Sequence, residues 1–261
     1  MLRKTVVPIQ LGCCNTQERC LLCSPAPSLR TPEFIRALIE SYQKSKGVSR
    51  PVVSFFGGAV PTPAQVAACD GLPFTVRVRP DLLAKKDAQR LISDGATSIE
   101  LDMFTLHDPS LKAIRRKYRR KYLLKLLEGL HQMNVKLGVV LSPGLPDSSY
   151  DTCLDDARVV AGFADTVRIH PVLVYAEAGL RERHMNGSYV PLEIGEAVTV
   201  CAGIMDLMED AAIPVIRVGV QPGPDETGRV VAGPFHPSFR QLVGGRRALR
   251  TLDDLLSAHE Q

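Results

Sequence analysis

The chain has 261 residues, 45% hydrophobic and 23% charged, with 20 glycines and 19 prolines, a composition that fits a folded globular protein and excludes collagen-like, coiled-coil and wholly disordered architectures. Lysine and arginine total 32 against 28 acidic residues, and a net charge of +4 does not by itself imply nucleic acid. The N-terminus lacks the apolar stretch of a signal peptide and no run reaches the roughly 18 apolar residues of a membrane span, so a cytoplasmic protein with no membrane partner is expected.

In chain order, short runs rich in β-branched residues predict strands over residues 5–11, 52–56, 74–78, 98–104, 135–141, 166–174 and 214–220. Helical periodicity predicts helices over 32–43, 82–93, 110–132, 151–163 and 193–210, the first opened by Thr31 as N-cap and Pro32 at its first position. Such alternation demands a parallel sheet. Without a dinucleotide fingerprint it favours an α/β partial TIM-type (β/α)6 barrel over residues 1–220. Residues 221–261, rich in Pro, Gly and Arg before a final helix at 249–259, are expected to pack on the barrel as a C-terminal extension. In such barrels chemistry sits in the loops after the strands. Three of those loops are unusual: the first holds cysteines, the second Gly57-Gly58, and the fifth Ser142-Pro143-Gly144-Leu145-Pro146.

Four of the 7 cysteines, Cys13, Cys14, Cys20 and Cys23, fall in the first loop. In a reducing compartment such thiols are free, metal-bound or catalytic. Cys14, Cys20 and Cys23 form a C-x5-C-x2-C pattern, one residue longer if counted from Cys13. Thiolates are the soft ligands of both zinc and iron-sulfur clusters, and the pattern leaves both open. Cys69, Cys153 and Cys201 stand alone and read as small buried hydrophobes. The 6 histidines show no i, i+4 metal spacing, and His170 alone falls on a predicted barrel strand.

Eight basic residues, Lys112, Arg115, Arg116, Lys117, Arg119, Arg120, Lys121 and Lys125, crowd one segment with no acidic residue, and Tyr118 and Tyr122 are interleaved. A helix carrying them would suit an RNA or tRNA backbone, with tyrosines stacking on bases. The plainer alternative is a solvated outer helix whose Ile114, Tyr118 and Leu126 face the barrel.

The order of motifs resembles the radical S-adenosylmethionine (SAM) superfamily, in the subgroup related to the catalytic subunit of the Elongator complex, in its short bacterial form. The matching segments are the Gly12 to Cys23 cysteine loop, Phe55-Phe56-Gly57-Gly58, Arg79-Pro80-Asp81, Ile99-Glu100-Leu101, Pro143-Gly144-Leu145-Pro146, Val167-Arg168-Ile169-His170-Pro171 and Ala232-Gly233-Pro234-Phe235-His236-Pro237-Ser238-Phe239. The resemblance implies a [4Fe-4S] cluster on Cys20, Cys23 and either Cys14 or Cys13. It also implies SAM on the Gly57-Gly58 turn, with Arg79 or Glu100 at its carboxylate or ribose and Arg168 to Pro171 near its adenine. The implied activity is reductive SAM cleavage to a 5'-deoxyadenosyl radical, fed by a flavodoxin- or ferredoxin-type reductant, on an unidentified substrate; no catalytic residue is assigned. The chain departs from the family's usual pattern at the first cysteine gap, at Ala59 and at Phe104-Thr105. The acetyltransferase domain of Elongator-type relatives has no counterpart before Gln261, so their uridine chemistry is not expected. A second reading is a non-catalytic, metal-cluster-bearing RNA-binding protein with a degenerate barrel.

Overall fold

Seven parallel strands, each hydrogen-bonded to the next in sequence, form one curled sheet: β1 (Val6–Gln10), β2 (Val52–Gly58), β3 (Phe74–Val78), β4 (Ala96–Phe104), β5 (Lys136–Leu141), β6 (Thr166–Ile169) and β8 (Val215–Val218). The structure is a computed structural model that describes residues 5–12, 20–22, 30–220 and 228–259. The helices are α1 (Pro32–Lys46), α2 (Pro63–Ala67), α3 (Lys85–Ser93), α4 (Asp108–Ala113), α5 (Arg120–His131), α6 (Tyr150–Ala161), α7 (Leu180–Met185), α8 (Ile194–Asp210) and α9 (Phe239–His259). Among the described residues β1 and β8 are the two edges of the sheet, and the barrel is partial.

Period-2 alternation of burial marks β1, β2, β3 and β6, whereas β4 and β5 are buried along most of their length. Val7, Ile9, Val53, Phe55, Ile99, Leu101, Val139 and Val167 are fully buried against the helical layer. The alternate positions face the lumen, where the register sets Arg77, Glu100, Gly138 and Thr166 in one row. α1 starts as its sequence predicts: Thr31 accepts from the Phe34 amide at 3.3 Å, and Gly47 in the left-handed region ends the helix.

Three elements differ from the sequence expectation. The helix expected over 110–132 is broken between α4 and α5. Ile114, Arg116 and Tyr118 are buried while Arg115, Lys117 and Arg119 are exposed, a period-2 pattern that a helix cannot satisfy. Arg115 adopts φ 61°, and Asp108 Oδ1 caps the restart by accepting from the Arg120 amide at 2.6 Å. The strand expected over 166–174 stops at Ile169, just before Pro171. Val174–Tyr175 instead forms β7, antiparallel to β9 (Val230–Ala232). The last helix starts ten residues earlier than expected, at Phe239 rather than 249, because Phe239 and Val243 bury against the core. Arg247 and Arg250 tie it to Asp206 on α8.

Cys69, Cys153 and Cys201 are buried, and desolvation pushes their thiols up, to about 12 for Cys69 and about 11 for Cys153. No helix among the described residues is long and apolar enough to cross a membrane.

Asp156 on α6 pins the connection from β4 to α4: it accepts from the Thr105 hydroxyl at 2.5 Å and the Leu106 amide at 2.9 Å. Burial outweighs these bonds and raises its carboxyl from 3.8 to about 6. A raised acid contributes stability that is fully present below pH 3.8 and lost as pH rises through about 6. Asp156→Asn, which cannot ionise, should therefore gain on the wild type by roughly 3 kcal/mol between acid and neutral pH. Denaturant unfolding at pH 4 and pH 7 measures this; an unchanged difference between the two proteins would refute it.

Candidate functional site

The site forms where the C-terminal ends of β1, β2 and β3 meet. The Leu11 amide donates to the Phe56 carbonyl at 2.6 Å, drawing the entry to the cysteine loop against the end of β2. A Cβ on residue 57 would lie 2.0 Å from the Leu11 carbonyl oxygen, and φ there is +111°, so only glycine fits. Gly58 also has positive φ, and its carbonyl accepts from the Arg79 amide at 2.9 Å. The two glycines and Arg79 are thus contiguous at the mouth. The Arg79 guanidinium is itself a bidentate partner of Asp81, at 3.0 and 2.6 Å.

Cys20 is 2% exposed. Its neighbour Leu21 donates to the Ile114 carbonyl at 3.5 Å and accepts from the Leu180 amide at 2.9 Å, so the segment is wedged between the turn after α4 and the start of α7. Leu21 packs with Leu145 of the Pro-Gly-Leu-Pro loop, and with Val172, Val174 and Tyr189, in a small apolar cluster over the mouth. Beneath it, Arg116 stacks over Phe104 (5.1 Å) and Tyr118 (5.9 Å) and lies 3.8 Å from Asp81. Burial pushes the Tyr118 phenol up, against the opposing pull of Arg116 and Arg79 and with Asp81 adding to the rise. Cys13, Cys14 and Cys23 lie outside the described residues. Among the described residues, no group of three or more His, Cys, Asp or Glu side chains could hold a metal ion.

Below the mouth the lumen is lined by charge. Glu100 accepts from Arg168 Nε at 2.7 Å, and Arg77 Nε lies 3.3 Å from Asp102 and 4.0 Å from Glu100. Arg77 also covers the Phe56 ring at 5.5 Å. Gly138 leaves room for Glu100, whose Cγ is 3.0 Å from where a Cβ on residue 138 would sit. His170 closes the row. Burial, then Arg77, Arg217 and Arg168, depress its imidazole to about 3, so it is neutral at physiological pH.

The structure thus brings Gly57, Gly58 and Arg79 together at the mouth and Glu100 with Arg168 in the lumen. Sequence reasoning missed Arg77, Asp102 and Arg217, named Asp81 only as part of the Arg79-Pro80-Asp81 motif, and grouped Arg116 with the exposed cations. A usable signal existed for Arg77, Asp102 and Arg217, each a charge at a lumen position of an apolar strand. Arg116 was hidden among the surface cations around it.

Residues 164–249 match the Radical_SAM C-terminal domain family. The tRNA uridine(34) acetyltransferase of Methanocaldococcus infernus is 27% identical over 139 residues, 51% of this chain and 26% of that protein. The chain spans about a quarter to a third of the length of the curated acetyltransferases it matches. Among solved structures, the archaeal Methanocaldococcus infernus Elp3 with an N-terminal deletion aligns at TM-score 0.71 and 18% identity, over 95% of this chain and 63% of that one. Coproporphyrinogen III oxidase from Escherichia coli, described as a radical SAM enzyme, aligns at TM-score 0.59 and 10% identity, over 80% and 53%. SuiB of Streptococcus suis bound to S-adenosylmethionine aligns at 0.58 and 14%, over 84% and 47%. The fold is therefore the partial barrel of the radical SAM proteins, and the chain is Elongator-like in sequence and in fold.

Gly57→Ala should destabilise the protein by about 1–3 kcal/mol through backbone strain, before any steric term from Leu11. Chemical denaturation measures this, and an alanine variant as stable as the wild type would mean that the close approach of β2 to Leu11 is not a constraint.

Proposed function

We propose that this chain, an Elongator-like relative of the radical SAM proteins, is a radical SAM enzyme whose barrel lumen receives the substrate. The observation that carries the reading is Cys20: a buried thiol, next to a residue bonded to Ile114 and Leu180, in the charged surroundings that Tyr118 shares with Arg116, Asp81 and Arg79. That environment fits one ligand of a cluster whose others would be Cys23 and Cys14 or Cys13. When bound, a [4Fe-4S] cluster and SAM would supply a 5'-deoxyadenosyl radical for hydrogen abstraction, with the electron from a flavodoxin- or ferredoxin-type donor.

The chain's own residues have distinct tasks in this reading. Gly57 and Gly58 expose backbone for the SAM amino group. Glu100 is the acceptor for ribose hydroxyls, held in place by Arg168. Arg79, occupied by Asp81, orients the mouth rather than reaching for a carboxylate. The Leu21 cluster shields the mouth from water.

A second reading adds an RNA contact. Lys112, Arg115, Lys117, Arg119, Lys121 and Lys125 are exposed on the turn and helix that follow β4, and Arg116 is withdrawn from them into the interior. Cations at the rim of a barrel mouth suit a polyanion whose reacting group enters the lumen, and the relatives named for tRNA chemistry favour this substrate class.

Anaerobic reconstitution should give a brown protein containing iron and acid-labile sulfide, with dithionite-dependent formation of 5'-deoxyadenosine. Cys20→Ala should lose both. Uptake of zinc without iron or sulfide would refute the enzyme reading. For RNA, affinity for bulk tRNA should fall with salt at a log-log slope of about 0.7 to 0.9 per phosphate contact. Changing Arg115, Arg119 and Lys121 to Gln should flatten that slope, whereas identical slopes in variant and wild type would leave the cations as a solvated face.

A further inference from the structure

We propose that Arg217, with Arg168 and His170, forms a subsite in the barrel lumen for an anionic group, a carboxylate or a phosphate, carried by the substrate. The inference rests on the reading of the lumen as the substrate chamber. It adds the chemical class of what enters.

Arg168 and Arg217 are register partners on the adjacent parallel strands β6 and β8. Val167 and Ile169 flank Arg168 and are buried on the opposite face, Val218 beside Arg217 is buried while Ile216 at the sheet edge is exposed, and Arg217 lies in the field of Arg168, Arg77 and Glu100, so both arginines face the lumen. Like charges directly across a strand pair are destabilising, and such a pair needs compensation. The lumen carboxylates supply it unevenly. Glu100 is taken by Arg168 at 2.7 Å, and Asp102 by Arg77 at 3.3 Å. Arg217 makes no ion pair or hydrogen bond among the described residues. Its guanidinium is half withdrawn from water, and burial, then Arg168 and Arg77, lower its proton affinity despite the pull of Glu100. A half-buried cation with no ion pair among the described residues, next to two other arginines, is favoured when an anion joins it.

His170 adds a second, independent mark. Its Nε2 is buried and has no hydrogen-bond partner among the described residues, and the ring is neutral. In the Nε2–H tautomer it is a donor in the same field as the three arginines. A guanidinium fork and a neutral N–H together are complementary to an oxyanion and to no cation. β8 is also the opposite edge of the sheet from β1, which leads into the cysteine loop. An anion held on Arg217 would thus anchor a substrate from the far side of the lumen.

The test is a calorimetric titration of the anaerobically reconstituted full chain with inorganic phosphate and, separately, with acetate, at constant ionic strength balanced by chloride. At least one probe should bind saturably; phosphate alone points to a phosphorylated substrate and acetate alone to a carboxylic acid. Arg217→Gln should weaken that binding at least tenfold, and Arg246→Gln on the exposed face of α9 should leave it unchanged. Arg217→Lys, which keeps the charge but loses the fork, should fall between and serves if the glutamine variant does not fold. In probe-free buffer Arg217→Gln should melt at or above the wild-type temperature, since it relieves the repulsion with Arg168. Binding no tighter than chloride by both probes, or wild-type affinity in Arg217→Gln, overturns the subsite. Loss of probe binding on saturation with SAM also overturns it, because the arginines would then serve the SAM carboxylate. A wild type that makes no 5'-deoxyadenosine would sink the enzyme reading alone, since the titration requires no turnover.

Discussion

The approach of Gly57 to the Leu11 carbonyl is the contact on which the mouth of the barrel depends. With no side chain at position 57, the end of β2 closes on Leu11, the first residue after β1, and the cysteine loop begins from a point fixed by the 2.6 Å bond from the Leu11 amide to Phe56. Gly58 then passes the constraint to β3 through its carbonyl and the Arg79 amide. The far end of the loop is fixed independently, by Leu21 between Ile114 and Leu180. The described residues on either side of 13–19 are thus held by different elements, Leu11 at the end of β2 and Leu21 between α4 and α7.

The arginines around this site fall into two groups with different physics. Arg79 and Arg116 are buried and share Asp81, and Arg116 spends its remaining faces on Phe104 and Tyr118. Phe104 holds φ 71°, an unusual backbone for a non-glycine residue, and the Asp156–Thr105 clamp lies immediately after it. The departure from the family's usual residues at 104 and 105 thus coincides with a local solution: an aromatic platform for Arg116 and a hydroxyl for Asp156. The lumen arginines are only partly buried and share carboxylates in a row, which leaves them able to meet a ligand.

Most of the sheet was legible in the sequence because β-branched runs and period-2 alternation are local properties, and Thr31-Pro32 marks a helix start by chemistry that needs no tertiary partner. The break after α4 was not legible. Residues 112–125 are nearly all good helix formers, and only the burial of Ile114, Arg116 and Tyr118 against the mouth turns the chain into an extended turn. The β7–β9 ribbon joins segments far apart in sequence, and short strands of two and three residues carry no periodicity. Within the site, Gly57-Gly58 was readable as a turn, whereas its partner Leu11 was not, since close approach is a property of two strands. The importance of Arg217 lies in a cross-strand pairing with Arg168 and in the occupation of Glu100 and Asp102 by others, neither of which a linear pattern contains.

The charged lumen also bears on why the barrel stays open. A complete (β/α)8 barrel fills its interior with layers of bulky branched side chains, and that packing rewards closure. Here the inward positions carry Arg77, Glu100, Asp102, Arg168 and Arg217, with Gly138 removing volume where Glu100 needs it. Long charged side chains cannot be sealed in a dry interior without large desolvation costs, so closure around them would be unfavourable. Among the described residues β1 and β8 remain edges, Arg77 and Arg168 keep part of their side chains exposed, and the opposite faces of the inner strands bury their apolar residues under the helices. The choice of residue at alternate strand positions therefore fixes both the stability of the outer layer and the existence of a chamber within it.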